Sequence, residues 1–240
     1  MPRRPLVSAW WSYRNAGPTT LAFLAARCAV VPWRAIAAAT GDLSGELMSV
    51  GCGHGLVERY VTRRNPRIAV VGYELDERRV AIAAATAEGE RVRIVAADVR
   101  RLPDTALFDA ILCCDVLHHL DAEAQRLLLK HLASRLRPGG RLIVKDIAAT
   151  PRWKCRWNEI HDRIVSGDRV TSRDPHEVAE DVEGSGLTVR RNERVARWQP
   201  YPHFIVVAEL VPAGRVPVQP SPVERLRADA GAWRRPAVNR

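Results

Sequence analysis

Three glycines alternate at the end of an apolar run, in the stretch Glu46-Leu-Met-Ser-Val-Gly51-Cys-Gly53-His-Gly55. The apolar residues predict a β-strand, and the pattern from Leu56 onward predicts a helix. Glycine has no Cβ, so such a turn lets a ligand approach backbone N–H groups and the positive end of the helix. A dinucleotide-binding fingerprint would need its third glycine at position 56, which is leucine. The turn therefore either binds a different ligand or serves only as a tight connection.

Acidic residues follow the next two predicted strands. Glu74 ends one strand 23 residues after Gly51, and Asp98 ends the next. A carboxylate at Glu74 can accept hydrogen bonds from both ribose hydroxyls of an adenosine. At the second position Asp98 can accept from the adenine amino group while Val99 packs on the ring. The alternative role for such an acid, the N-cap of the following helix, suits Asp76 better than Glu74.

A scaffold must bring these strand ends together. Strand-like and helix-like segments alternate between residues 46 and 147, which predicts right-handed crossovers and a parallel sheet covered by helices on both faces. In such sheets ligands bind at the carboxyl ends of the strands. We predict strands near 46–50, 68–74, 92–98, 108–115, 140–147, 187–195 and 203–210. Helices are predicted near 55–64, 76–88, 121–137 and 174–184.

The fourth strand, Phe108-Asp-Ala-Ile-Leu-Cys-Cys114-Asp115-Val-Leu-His118-His119, completes a recognisable set of motifs. Together with Leu136-Arg-Pro138-Gly139-Gly140, the glycine turn and the two acids, it resembles class I S-adenosylmethionine (SAM) dependent methyltransferases, particularly the small-molecule type. The resemblance covers residues 46 to 147. It implies a three-layer, Rossmann-like α/β fold whose seven-stranded sheet is mostly parallel, with strand seven antiparallel.

The same resemblance implies SAM as the cofactor. The positions that match the family's binding motifs are Ser49, Gly51, Cys52, Gly53, Gly55, Glu74, Leu75, Asp98, Val99, Cys114 and Asp115. One of them departs from the family pattern, because the family usually has an acid two residues before the first glycine and this chain has Ser49. A hydroxyl brings no charge for the cofactor's ammonium. We expect either lower cofactor affinity or a replacement by Asp115 and the carbonyl of Cys114.

Methyl transfer from a sulfonium is an in-line displacement that needs alignment and exclusion of water, without a metal. A hydroxyl acceptor benefits from a general base. The candidates at the predicted rim are His118, His119, Asp146, His161, Tyr201 and His203. We place the base at His161 or His203, which lie beside aromatic residues in the variable region; a structural role is the alternative for any single histidine. The histidines have no CxxC or HExxH spacing, so no metal site is expected.

Three parts are expected along the chain: an N-terminal helical cap (1–43), the methyltransferase domain (44–210) and a basic tail rich in Pro and Arg (211–240) that we predict to be disordered. The cap sequence fits two or three short helices broken at Gly17-Pro18 and Pro32. Its aromatic residues either pack the cap on the domain or roof the substrate pocket. In the second case Trp10, Trp11, Trp153 and Trp157 line an apolar pocket.

The net charge of +10 lies at the ends of the chain. Residues 1–41 carry five arginines and no acid, residues 211–240 carry a net +4, and the region between is near neutral. The five cysteines are odd in number and include no CxxC pair, which is typical of reduced thiols in the cytoplasm. Arg27, Pro32 and Arg34 interrupt the apolar stretch 20–39, so we expect no transmembrane segment, although peripheral membrane contact is possible.

Three functions remain open from the sequence. We favour a methyltransferase acting on an apolar or aromatic small molecule, either free or tethered to an acidic carrier protein. Segments near 158–162 and 201–204 are similar to methyltransferases of bacterial secondary metabolism, including aryl-polyene types. The first alternative is a nucleic-acid methyltransferase, which the charge suggests but the near-neutral core and the sequence after strand four disfavour. The second is an inactive methyltransferase-like scaffold.

Overall fold

The structure is a computed structural model that describes residues 5–86, 91–151, 153, 170–195 and 201–212. Seven α-helices lie in this part of the chain: α1 (Pro5–Trp11), α2 (Pro18–Val30), α3 (Trp33–Thr40), α4 (Leu56–Arg64), α5 (Glu77–Ala85), α6 (Ala122–Ala133) and α7 (Pro175–Gly184). The strands are β1 (Gly45–Val50), β2 (Ile68–Glu74), β3 (Val92–Ala96), β4 (Phe108–Cys114), β5 (Leu136–Ile147), β6 (Thr188–Arg194) and β7 (His203–Glu209).

All seven strands form one sheet in the order β3-β2-β1-β4-β5-β7-β6. The pairs among β1 to β5 are parallel. Strand β7 lies between β5 and β6 and is antiparallel to both, because β6 and β7 form the final hairpin. The predicted fold class, including the antiparallel seventh strand, is confirmed.

Apolar side chains cover both faces of the sheet and make three layers. Along β1, Leu47 belongs to one core and its neighbour Met48 to the other, as the alternation of side chains on a strand requires. The core around Met48 includes α6 and α7, through residues such as Leu129 and Val182. The core around Leu47 includes α4 and all three N-terminal helices. The cap therefore packs on one face of the sheet and shares its core.

Several element boundaries differ from those predicted. The helix predicted over 121–137 ends at Ala133, and β5 begins at Leu136 instead of near 140. The strand continues through Gly139, which adopts φ +81°, and the β4–β5 register shifts between Phe108 and Ala110. Strand β3 ends at Ala96, because Asp98 accepts the N–H of Arg100 and starts a short 3-10 helix. Hydrophobic periodicity does not reveal such local hydrogen bonds, which decide where an element ends.

The cap consists of three short helices, the upper end of the predicted number. In the described residues, no single helix has the length and apolar composition needed to cross a membrane; only α2 and α3 taken together do, and they meet at an angle of 75°. Residues 1–210 form one compact unit. The predicted disorder of the tail falls almost entirely on residues outside the described part of the chain.

Candidate functional site

The glycine turn after β1 has the backbone that its sequence predicts. Gly51, Gly53 and Gly55 adopt positive φ angles of 60°, 56° and 79°, a region that residues with side chains rarely occupy. Gly55 is the N-cap of α4. A Cβ added to Gly51 would lie 2.6 Å from a methyl group of Val116, whereas one added to Gly53 would meet no atom within 4 Å. The open space above Gly53 is where a ligand can approach the backbone.

Glu74 ties the glycine turn to the end of β2. Its carboxylate accepts hydrogen bonds from the N–H groups of Gly53 (2.7 Å), Leu75 (2.9 Å) and Asp76 (3.0 Å). Oε1 takes two of these bonds and Oε2 takes one, so Oε2 keeps acceptor capacity. Asp76, as predicted, is the N-cap of α5, where its side chain accepts from Arg78 N and Arg79 N. Glu74 is therefore a fixed acceptor beside the open turn.

A cavity of about 430 Å³ lies between the glycine turn, α2 and the ends of β4, β5 and β7. This volume is in the range of small-molecule sites. The turn and strand β4 contribute Gly51, Cys52, Gly53, His54, Cys114 and Asp115 to its lining. Helix α2 lines the other side through Phe23, Arg27 and Val30. The segments after β4, at the end of β5 and at the start of β7 add His118, His119, Ile147, Tyr201 and His203. Residues from five separate parts of the sequence thus meet in one cavity.

An ion cluster occupies the end of β4, with Lys145 buried and the Arg27 side chain 30% exposed. Asp115 adopts φ +59°, and its carboxylate pairs with the ammonium of Lys145 and, at 3.3 Å, with the guanidinium of Arg27. Lys145 is fully buried on β5. Although burial opposes it, the charges of Lys145 and Arg27 lower the pKa of Asp115 well below its usual range. Asp115 is therefore ionised and already engaged by two cations.

His118 and Asp146 form a buried pair. His118 Nδ1 lies 2.5 Å from Asp146 Oδ1, and Asp146 also accepts the N–H groups of Leu117 (2.8 Å) and Ile147 (2.7 Å). An ionised carboxylate only accepts, so Nδ1 carries the proton and Nε2 is the basic nitrogen. The ring of His119 stands 4.2 Å from that of His118. Asp146 is thus placed to orient an imidazole that lines the cavity.

His203 lines the cavity in a fixed, neutral form. Its Nε2 lies 2.9 Å from the carbonyl oxygen of Val30, so this nitrogen carries the proton. Its Nδ1 is buried and has no hydrogen-bond partner among the described residues. Burial, and then the charge of Lys145, lower the pKa of His203 to about 3. The ring of Tyr201 is 5.8 Å away. His203 is therefore a hydrogen-bond acceptor and a weak proton acceptor.

The predicted cofactor residues at the far end of the sheet do not line this cavity. Asp98 is held by Arg100, whose guanidinium bonds both carboxylate oxygens. Val99 is buried in the core on the α6 side, whereas Leu75 is 67% exposed. The cavity consequently covers the turn and the β4 end of the predicted cofactor site, and leaves Glu74, Leu75, Asp98 and Val99 outside its lining.

The predicted tryptophan roof is wrong in its described part. Trp10 packs against the core beneath the cap, while Trp11 is 46% and Trp153 is 68% exposed, and none of the three lines the cavity. Helix α2 covers the cavity instead, through Phe23, Arg27 and Val30. Tyr13, which follows α1, donates a 2.5 Å hydrogen bond to the carbonyl of His54 and so links the end of this helix to the glycine turn. His161 and Trp157 fall outside the described residues.

Arg27 and Lys145, the two cations that pair with Asp115, were not among the sequence candidates. In the sequence, Arg27 only interrupts the apolar stretch 20–39. Lys145 is one residue of the strand predicted over 140–147. A lysine inside an otherwise apolar strand is a usable signal, because a buried ammonium needs an anionic partner. Arg27 gave no such signal, since its partner Asp115 lies 88 residues away.

The residues fit the SAM that the sequence resemblance implies. The space above Gly53 would be filled by a side chain, and the carboxylate of Glu74 lies beside it. Arg27 and Asp115 bring charges of both signs to the cavity lining. Burial raises the pKa of the Cys52 and Cys114 thiols, so neither is a thiolate nucleophile. The described residues contain no cluster of three or more His, Cys, Asp or Glu that could hold a metal.

Residues 22–192 match a family described as a methyltransferase domain. Among curated proteins, the ubiquinone biosynthesis O-methyltransferase of Rickettsia felis is 23% identical over 107 residues, covering 45% of this chain and 43% of that protein. The chain spans less than half the length of the curated relatives it matches.

The fold is shared with solved structures, of which two serve as examples. The magnesium protoporphyrin IX methyltransferase from Synechocystis, solved with bound S-adenosylhomocysteine, has a TM-score of 0.59 and 21% identity over 74% of this chain and 82% of that one. The pyocyanin biosynthetic protein PhzM has a TM-score of 0.64 and 22% identity over 83% and 61%. At these identities the likeness is evidence for the fold alone.

Proposed function

The chain belongs to the class I SAM-dependent methyltransferases, and on that premise we propose that it transfers the methyl group of SAM to a small-molecule acceptor bound beneath α2. The observation that carries the proposal is the composition of one cavity. Its floor holds the glycine turn, and its walls hold the oriented His118, the neighbouring His119, and His203 beside Tyr201. A group that binds at the turn and an acceptor that contacts the histidines would therefore share one cavity, which suits the alignment that an in-line displacement requires.

The cofactor would lie along the turn, with the open acceptor position of Glu74 Oε2 on a ribose hydroxyl. The backbone of Gly51 and Gly53 would lie against it, and Cys52 and Cys114 would border its amino-acid end. SAM, when bound, supplies a methyl group activated by the sulfonium. Leu75 offers the exposed apolar surface for the adenine, since Val99 is buried in the core. Asp98 could contact the adenine amino group once its exposed partner Arg100 moves, because exposed ion pairs are weak.

For the proton of a hydroxyl acceptor, we place the base at His118, with Asp146 as its positioning residue. The carboxylate of Asp146 accepts a hydrogen bond from His118 Nδ1, which keeps the proton on Nδ1 and leaves Nε2 as the basic nitrogen. The same carboxylate stabilises the imidazolium that forms when Nε2 takes up a proton. His119 and Tyr201 would contact the acceptor, and His203, neutral and with its tautomer fixed by Val30, would accept a hydrogen bond. This assignment moves the base away from His203, whose pKa of about 3 makes it a poor proton acceptor at neutral pH. A role for His161 as the general base remains a prediction.

The setting of the reaction is also a proposal. Free thiols at Cys28, Cys52, Cys113 and Cys114 support a reducing, cytoplasmic location. The arginine-rich ends favour an acidic partner, so a carrier-bound acceptor of secondary metabolism fits as well as a free one.

The experiment is a screen of host extract with SAM carrying an isotopically labelled methyl group, followed by mass spectrometry of the labelled product. We expect label in a small or carrier-bound molecule, and loss of that label in the His118→Asn protein. The exposed His176→Asn variant is the matched control and should label normally. Label in RNA, or in side chains of cellular proteins, would overturn the proposal in favour of a macromolecular substrate.

A further inference from the structure

Glu58 is a buried carboxylate that is only half used. It is the third residue of α4 and is 2% exposed. The hydroxyl of Ser49 donates a 2.6 Å hydrogen bond to Glu58 Oε1. Glu58 Oε2 is buried as well and has no hydrogen-bond partner among the described residues. A buried carboxylate oxygen without a partner is unfavourable, so this one points to a group that the protein binds.

The surroundings of Glu58 border the cavity. The preceding residues of α4, Leu56 and Val57, line the cavity, and the charge of Glu58 acts on Cys52, Cys114 and Arg27, which line it too. Burial raises the pKa of Glu58, and the hydrogen bond from Ser49 and the charge of Arg27 reduce this shift without reversing it. The first turn of a helix favours an anion. Glu58 is not itself a lining residue, so its carboxyl group lies behind the cavity wall beneath the glycine turn, next to Leu56 and Val57.

The other acids at this end are already engaged. Asp115 pairs with Lys145 and Arg27, and Asp146 is bound by His118 and two N–H groups. Glu74 accepts from three backbone N–H groups at the opposite side of the turn. A bound amino-acid group brings an ammonium that needs an anion. Within the described residues, Glu58 is the carboxylate with a buried oxygen left for it.

We propose that Glu58, oriented by Ser49, binds the ammonium of the cofactor's methionyl group. Ser49 occupies the position where related sequences carry an acid. In this chain the negative charge comes instead from Glu58 of α4, nine residues further along the sequence. The Ser49 hydroxyl holds that carboxylate in place through its hydrogen bond. The inference rests on the proposed SAM site, although it is independent of the acceptor.

Binding of two ligands separates this role from a structural one. S-Adenosylhomocysteine carries the ammonium, whereas 5′-methylthioadenosine has the same nucleoside and lacks the amino-acid group. Titration calorimetry on Glu58→Gln should show at least about a tenfold weaker affinity for S-adenosylhomocysteine, the scale of a hydrogen bond to a charged group. Affinity for 5′-methylthioadenosine should be unchanged. Glu74→Ala is the matched control and should weaken both ligands.

A second variant tests whether charge is the cause. Ser49→Asp combined with Glu58→Gln returns one carboxylate to the site and should recover much of the lost affinity for S-adenosylhomocysteine. Equal loss of both ligands in Glu58→Gln would overturn the inference and make Glu58 a structural residue. Unchanged binding of both would overturn it as well, while leaving the proposed function intact. A wild-type protein that binds neither ligand would instead refute the cofactor site, and the inference with it.

Discussion

At the scale of single residues, Gly53 and Gly139 form a natural comparison. Both adopt positive φ angles, 56° and 81°, and a Cβ at either would meet no atom within 4 Å. A side chain would impose a similar backbone strain at both sites, about 1–2 kcal/mol. The difference is that Gly53 lines the cavity and Gly139 lies within β5, away from it.

We therefore predict that Gly53→Val abolishes SAM binding in a protein that still folds, whereas Gly139→Val loses a similar amount of stability and binds normally. Calorimetry and thermal melts on the two variants measure both quantities. Normal affinity in Gly53→Val would place the ligand elsewhere.

His203 makes stability depend on pH. Its pKa of about 3 in the folded protein is below the value near 6.5 of an unfolded chain. The unfolded state then binds more protons as the pH falls, so stability present above about pH 6.5 is lost between that pH and 3. We predict that His203 contributes a loss of up to ~1.4 kcal/mol per pH unit in that window, and that His203→Gln lacks this contribution. Burial also lowers the pKa of His54, so a part of the slope remains in the variant.

Denaturant unfolding at pH 7.5, 6.0 and 5.0 measures this slope as the difference between wild type and variant. The lowered pKa of Asp115 acts in the same direction, but below about pH 4, outside this window. His176→Gln, at an exposed position, is the control. A slope as steep in His203→Gln as in the wild type would assign the effect to other groups, His54 among them.

At the scale of elements, the ion cluster of Asp115, Lys145 and Arg27 joins β4, β5 and α2. Removing one partner from a buried cluster leaves an uncompensated charge, which typically costs about 3–5 kcal/mol. We predict this loss for Asp115→Asn, because asparagine tolerates the left-handed backbone at that position. Hydrogen exchange should then rise most in α2 and the end of β5.

The exposed pair of Glu123 and Arg126 provides the comparison. Glu123→Gln should change the free energy of unfolding by less than about 1 kcal/mol. If Asp115→Asn costs no more than that, water reaches Lys145 and the cluster does not hold α2 to the sheet.

The elements also show how far the sequence carries a prediction. Strand β2 and the glycine turn were predicted correctly, because apolar runs and glycines at positive φ are local signals. The antiparallel β7 and the capping role of Asp76 were predicted as well. The ion pair of Arg27 was missed because only the fold brings Asp115 close to it. The proposed role of Glu58 was missed because it depends on the contact of α4 with Ser49 on β1. The tryptophan roof failed for a related reason, since composition does not tell which face of a short helix meets the sheet.

At the scale of the whole molecule, the distribution of charge bears on the proposed class of acceptor. Between the basic ends the chain is nearly neutral, and several arginines there are paired with acids, among them Arg141 with Asp42 and Arg173 with Asp181. Nucleic-acid affinity that comes from phosphate contacts alone falls steeply with salt and does not depend on sequence.

We predict that any RNA binding is of this kind. Fluorescence anisotropy with an unstructured oligonucleotide and with total tRNA, from 50 to 300 mM KCl, should give similar affinities that fall together to background. An RNA methyltransferase would behave differently, because a site that selects one base keeps contacts that salt does not screen. One RNA that stays bound at 300 mM KCl at least about tenfold more tightly than the others would contradict the small-molecule assignment. The labelled-SAM experiment would then be repeated with that RNA as the acceptor.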